Sequence, residues 1–237
     1  MSENKHQLRP VPSSDSEIEA FLKQTRQLST ASSGSAGRLI FALDATASRE
    51  RTWDHACHLQ SQMFLETKEL GGLAVQLCHY GGINNFSTTP WLQDTNSLLN
   101  QMNQVRCLGG HTQIARLLQH SLTQTRQQSV QAVIFIGDCI EEPVDFLCQL
   151  AGQLGIHSTP LFIFHEGSDI TAARGFKQMA TLSGGAYCRF DNHSAAHLKT
   201  LLGAVAVYAS GGHQALLDYS KNSSPEVRQL TDQLSKR

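Results

Sequence analysis

Few features constrain a chain as tightly as an unbroken apolar run that stops on a carboxylate, and residues 38–48, RLIFALDATAS, contain one. Leu39–Leu43 carries no polar side chain, so a strand there must be covered on both faces, as in a central parallel sheet. Asp44, Thr46 and Ser48 follow at alternate positions, one carboxylate and two hydroxyls just before a helical pattern. In open α/β sheets, ligands collect beyond the carboxyl ends of the strands. Oxygen-only donors at such a place suit a hard divalent cation such as Mg²⁺.

The rest of the chain repeats this plan. Trp53, Ala56, Cys57, Met63 and Phe64 form a helical apolar stripe over about 49–69, stopped by Gly71-Gly72. A strand is predicted over Ala74–Tyr80, and Ile83–Thr89 pairs back on it as a short edge strand. A helix around 92–104 precedes Leu108-Gly109-Gly110-His111-Thr112. In that loop the glycine pair is expected to adopt backbone conformations closed to other residues, bringing the Thr112 hydroxyl near a site. Ile114, Leu117, Leu118, Ser121 and Leu122 then mark one helix face.

Ala132–Gly137 is a second continuous apolar strand ending in an aspartate, Asp138. Beyond it come a helix over about 144–154, a strand over Leu161–Phe164, a helix over 169–183, a strand over Ala186–Phe190 and a helix over 194–209. Glu166 and Asp169, after the 161–164 strand, read as solvated loop acids. Strands alternating with helices predict an α/β fold: three layers, a mostly parallel central sheet with one antiparallel edge strand, and helices on both faces. Residues 38–210 form the predicted domain. Residues 1–37 read as a polar, mostly disordered segment with one short helix, and 211–237 as a tail whose amphipathic helix begins at Ser224-Pro225.

In a parallel sheet with both Asp-ended strands central, Asp44 and Asp138 converge. Two bare carboxylates about 5 Å apart repel by ~3 kcal/mol at an effective dielectric near 20. A proton or a cation between them relieves this, and three hydroxyls close by make the cation the better solution. With these residues in hand, the chain resembles a von Willebrand factor A-type domain, the integrin I-domain-like fold, over about 38–210. DATAS is similar to the DxSxS motif of that family's metal-ion-dependent adhesion site, the glycine-flanked Thr112 to its second-loop threonine, and Asp138 to its third-loop aspartate.

The resemblance implies that Thr46, Ser48 and Thr112 coordinate Mg²⁺ (or Mn²⁺) directly, and that Asp44 and Asp138 do so directly or through water. It also implies that the open coordination position accepts an acidic side chain of a protein partner. Thr46 replaces the usual serine, His111 precedes Thr112, and Asp138 lies in Gly-Asp-Cys rather than Thr-Asp-Gly. His111, Gln113, Cys139 and Glu141 are therefore the candidate partner-contact residues.

An enzymatic alternative resembles the haloacid-dehalogenase-like phosphatases, with Asp44 as nucleophile and Asp138 as a Mg²⁺ ligand. That pattern wants a second acid where Thr46 stands. No GxSxG, GxxxxGK[ST] or GxGxxG motif occurs, so the expectation is a binding domain without catalysis. With 19 basic and 20 acidic residues the formal charge is −1, which offers no electrostatic footprint for nucleic acid. No apolar run reaches transmembrane length, no secretory leader is visible, and six scattered cysteines without a CxxC pair fit a reducing, cytoplasmic setting.

Overall fold

The computed structural model describes residues 37–49, 73–190 and 195–235. The predicted helix over 49–69 and the N-terminal helix lie outside the described residues. Six strands form one sheet: β1 (Gly37–Asp44), β2 (Leu73–Tyr80), β3 (Phe86–Thr88), β4 (Ala132–Gly137), β5 (Leu161–Glu166) and β6 (Tyr187–Phe190), in the order β3-β2-β1-β4-β5-β6. All neighbours run parallel except β3, which pairs antiparallel with the edge of β2. The helices are α1 (Thr95–Met102), α2 (Ile114–Gln127), α3 (Val144–Ile156), α4 (Ile170–Ser183), α5 (Ala195–Lys221) and α6 (Pro225–Ser235).

The continuous apolar strands are explained by a core on each face of the sheet. Leu39, Phe41 and Leu43 of β1, with Phe162 and Phe164 of β5, point to α1, α5 and α6. Ile40, Ala42, Val133 and Phe135 point to the opposite face, against α2, α3 and α4. Each fully buried side chain of this size stabilises by about 1.5–3 kcal/mol. The stripe read for α2 is the one it buries: Ile114, Leu117, Leu118, Ser121 and Leu122.

Two helix ends show what a glycine pair can and cannot decide. Gly184 ends α4 with φ 85°, the left-handed cap that a glycine accepts without strain. At Gly211-Gly212 the helix predicted over 194–209 also ends, Gly212 standing at φ 72° and ψ −169°, and a second helical stretch of α5 runs on to Lys221. Leu216 beyond the break and Val227 and Leu230 of α6 are fully buried in the same core as β1. Packing of those apolar side chains seats the stretch beyond the glycine pair on the domain.

β1 lies beside β4, and the chain leaves β1 towards β2 but leaves β4 towards β5, in opposite directions across the sheet. This is the switch point at which an open α/β sheet leaves a crevice beyond its strand ends. Leu43 is in register with Ile136, which brings the residues that follow, Asp44 and Asp138, to the same rim.

Candidate metal centre

Three loops meet at that rim because their backbones touch. Leu108 N–H donates to the Ala45 carbonyl (2.9 Å), Gly82 N–H donates to the Leu108 carbonyl (3.1 Å), and Thr46 and Leu108 form an isolated parallel bridge. A Cβ on Gly110 would sit 2.1 Å from the Gly82 oxygen, and one on Gly81 only 2.4 Å from the Ala45 oxygen. Neither Gly109 nor Gly110 has a positive φ. The expected reason for the glycine pair is thus corrected: Gly110 is needed for space, not for an unusual backbone conformation.

Asp44 is fully buried. Its Oδ1 accepts the Thr46 N–H (2.9 Å) and its Oδ2 accepts the Tyr80 hydroxyl (3.0 Å). The Thr46 and Ser48 hydroxyls are 3.0 Å apart, Thr46 buried and Ser48 exposed. Burial pushes the Asp44 carboxyl up from its ordinary value; hydrogen bonds from Thr46 and the Arg49 guanidinium draw it back, and Asp138 pushes it up again. One ligand atom each from Asp44, Asp138 and Cys139 lie within 4.8 Å of one another. Asp138 Oδ1 is buried with no hydrogen-bond partner among the described residues. A buried acceptor without a donor costs about 1–3 kcal/mol, and beside a second carboxylate a divalent cation relieves both costs.

Thr112 is buried, and its hydroxyl accepts the Glu141 N–H (3.1 Å) while its own N–H donates to Glu141 Oε2 (2.7 Å). This reciprocal pair fastens the second loop to the turn after Asp138. Backbone donation from Thr112 holds the exposed Glu141 carboxyl below its usual value. His111 Nδ1 lies 3.2 Å from Glu141 Oε1 on the surface. Gln113 is buried, its oxygen accepting from Arg116 (2.8 Å) and its amide reaching the Gly82 and Asn85 carbonyls (both 3.4 Å). It gives α2 no side-chain cap. Glu142 does so from a distance, its two oxygens accepting the N–H groups of Ile114 (2.7 Å) and Ala115 (2.8 Å).

Beneath the carboxylates lies a brace that the sequence pattern did not disclose. Arg49 is buried, donating from Nη1 to the Asp44 carbonyl (2.6 Å) and from Nε to Glu166 Oε2 (2.9 Å). Glu166 is therefore corrected from solvated loop acid to buried partner of a buried arginine. Asp169 is exposed, as read, and also caps α4, accepting the Thr171 and Ala172 N–H groups.

His165, next to Glu166 on β5 and also buried, sits 3.1 Å from the Asp138 carbonyl through Nε2 and 2.8 Å from the Tyr187 hydroxyl through Nδ1. A carbonyl only accepts, so Nε2 carries the proton and neutral Nδ1 accepts from Tyr187. The last two residues of β5 thus hold, directly and through Arg49, the backbone of both site aspartates. The only sequence signal was a polar pair, His165-Glu166, closing an apolar strand. For Tyr80 it was register, since Tyr80 pairs with Asp44 across β1 and β2.

Burial lowers the pKa of His79, His120 and His165 from the ordinary histidine value. Groups that are harder to protonate when folded contribute stability above their unfolded pKa of about 6.5, and that stability is lost as pH falls below it. Urea midpoints should therefore drop from pH 7 to pH 5. His120, 2.8 Å from Gln76 Oε1, supplies the control: His120→Gln keeps a donor there, cannot titrate, and should show a shallower drop. An unchanged slope would remove His120 from this balance. Asp44, raised by burial, runs the other way, so the two proteins are compared at each pH.

No protein-family model matches the sequence, and no curated protein does. Solved structures do match in shape. The SpRpn10 VWA domain superposes with a TM-score of 0.51 at 11% identity, over 66% of this chain and 89% of that one. An aerotolerance-related membrane protein from Bacteroides fragilis gives 0.54 at 17% identity, over 72% of this chain and 99% of that one. The PilB minor pilin from Streptococcus sanguinis gives 0.56 at 9% identity, over 76% of this chain and 63% of that one. With the six-stranded, mostly parallel sheet and its helices, these likenesses define a three-layer α/β fold of the von Willebrand factor A type.

Proposed function

We propose that the chain is a non-catalytic, metal-dependent protein-binding domain acting in the cytoplasm. Asp44 and Asp138 hold a divalent cation, Mg²⁺ or Mn²⁺, with hydroxyl oxygens from Thr46, Ser48 and Thr112. When bound, the cation supplies an open position for an Asp or Glu of a protein partner. The observation that carries this reading is the convergence of two carboxylates at the switch point of the sheet, one with a buried oxygen that has no donor among the described residues. Hard oxygen donors of mixed charge suit such an ion.

Asp44 favours this role over that of a nucleophile. The phosphatase pattern wants a second acid two residues after its nucleophile, and Thr46 stands there. Among the described residues no helix is long and apolar enough to cross a membrane.

A single carboxylate–metal contact selects no particular partner, so the surrounding loops must do so. His111 and Glu141 stand on that surface and Cys139 is half-buried beside it, while Gln113 shapes the loops from beneath. Ile83 and Leu108, 86% and 47% exposed, add apolar contact area on the adjoining loops. Capture of a protein partner on immobilised wild type should be lost both in EDTA and in Asp44→Ala. Capture that survives both would remove the bridging mechanism.

A further inference from the structure

The turn after β4 places a sulfur where an all-oxygen site would have none. Cys139 Sγ belongs to the same cluster as the Asp44 and Asp138 carboxylate oxygens, all within 4.8 Å of one another. Around a tetrahedral ion, with about 2.0–2.2 Å to oxygen and about 2.3 Å to sulfur, ligand atoms stand roughly 3.5 Å apart. The three donors therefore close around an ion by drawing together by up to about an ångström. They come from two strand ends already tied together, Asp44 through its carbonyl to Arg49 and Asp138 through its carbonyl to His165.

We propose that Cys139 is a metal ligand of this site, and that its sulfur makes the site prefer a borderline dication of the Zn²⁺ or Co²⁺ class over Mg²⁺. The inference rests on the reading that Asp44 and Asp138 hold a cation. Its physical basis is ligand softness. Carboxylates and hydroxyls alone favour hard ions, while a thiolate adds affinity for zinc-like ions and nothing useful for Mg²⁺. The sulfur–metal bond forms as the thiol proton leaves to solvent.

Cys139 stands half-buried beside the two carboxylates, and a thiol that coordinates a dication is deprotonated outright. Mg²⁺ uses the oxygens; a zinc-like ion recruits the sulfur as well. Cys78, Cys107, Cys148 and Cys188, the other described cysteines, belong to no such cluster among the described residues.

The test is a Co²⁺ titration of the full-length protein, read by absorption, with Zn²⁺ competing. Wild type should develop a sulfur-to-cobalt charge-transfer band in the near ultraviolet, and one equivalent of Zn²⁺ should erase it. Cys139→Ser should lack the band and bind Zn²⁺ at least about tenfold more weakly, a loss no smaller than that for a supporting residue. Its unfolding midpoint in chelator should stay close to that of wild type, which shows that the variant is folded. A band that persists in Cys139→Ser, or equal Zn²⁺ affinity in the two proteins, overturns the role of Cys139. In either case an Asp138-dependent Mg²⁺ shift leaves the underlying metal reading standing. If no dication moves the unfolding of wild type, both fall together.

Discussion

Replacing Arg49 by Met should lower the unfolding free energy by about 3–5 kcal/mol, the cost of stranding one member of a buried ion pair. The Arg49 and Glu166 side chains are 1% and 8% exposed and 2.9 Å apart. Remove the guanidinium and the Glu166 carboxylate stays in a place with little access to water. Glu166→Gln should cost less, because the amide keeps an acceptor for Arg49 Nε and the Asp44 carboxylate still acts on the guanidinium.

The double variant Arg49→Met/Glu166→Met should lose much less than the sum of the single losses, since an apolar pair of similar volume often substitutes for a buried ion pair. Urea unfolding of the four proteins measures this. Single losses below about 1 kcal/mol would mean that the pair behaves like a surface salt bridge. The cost also has a place in the site. Arg49 donates to the Asp44 carbonyl, so its loss frees the end of β1 as well as the end of β5.

Asp44→Asn should separate stability from metal binding. The asparagine carbonyl can still accept the Thr46 N–H, and its amide can donate to the Tyr80 oxygen, so both contacts of Asp44 have a replacement. Only the charge goes. A carboxyl whose folded pKa is raised contributes stability below its unfolded pKa, and that contribution is lost as pH rises through the folded value. Burial raises Asp44, so near neutral pH and without a cation it disfavours the folded state.

In chelator, Asp44→Asn should therefore unfold at a slightly higher temperature than wild type. With Mg²⁺ the order should reverse. Metal at about 100 times its dissociation constant adds about 2.7 kcal/mol to wild type. At about 2–4 °C per kcal/mol this raises its midpoint by roughly 5–10 °C, and the variant should not move. An equal Mg²⁺ shift in both proteins would place the ion elsewhere.

What was legible in the sequence was whatever a repeating pattern encodes. Leu39–Leu43 and Ala132–Gly137 read as doubly covered strands because no polar side chain interrupts them, and an aspartate at the end of each fixes where they meet. The α2 stripe was equally plain, since 3.6-residue periodicity needs no knowledge of the partner face. What escaped were contacts set by register between distant segments. Tyr80 reaches Asp44 because the two are cross-strand partners, and Glu142 caps α2 from 28 residues away.

Glu166 read locally as a solvated loop acid, and Arg49, 117 residues away, carried no signal of its own. Burial of both, not their identity, makes them structural. Gly110 illustrates a third kind of miss. Its position was noticed for the right loop but for the wrong reason, because close approach to Gly82 is a property of two chains of backbone and not of one.

The most direct measurement of the central claim is a Mn²⁺ titration followed by electron paramagnetic resonance, on wild type and on Asp138→Ala. Asp138 carries the buried oxygen without a donor, so removing it takes away the group that most needs the ion. Wild type should quench the free Mn²⁺ signal with a single saturable site per chain, and Asp138→Ala should leave the signal as it is in buffer. A wild-type signal indistinguishable from buffer, or the same quenching in both proteins, would contradict a cation held between Asp44 and Asp138.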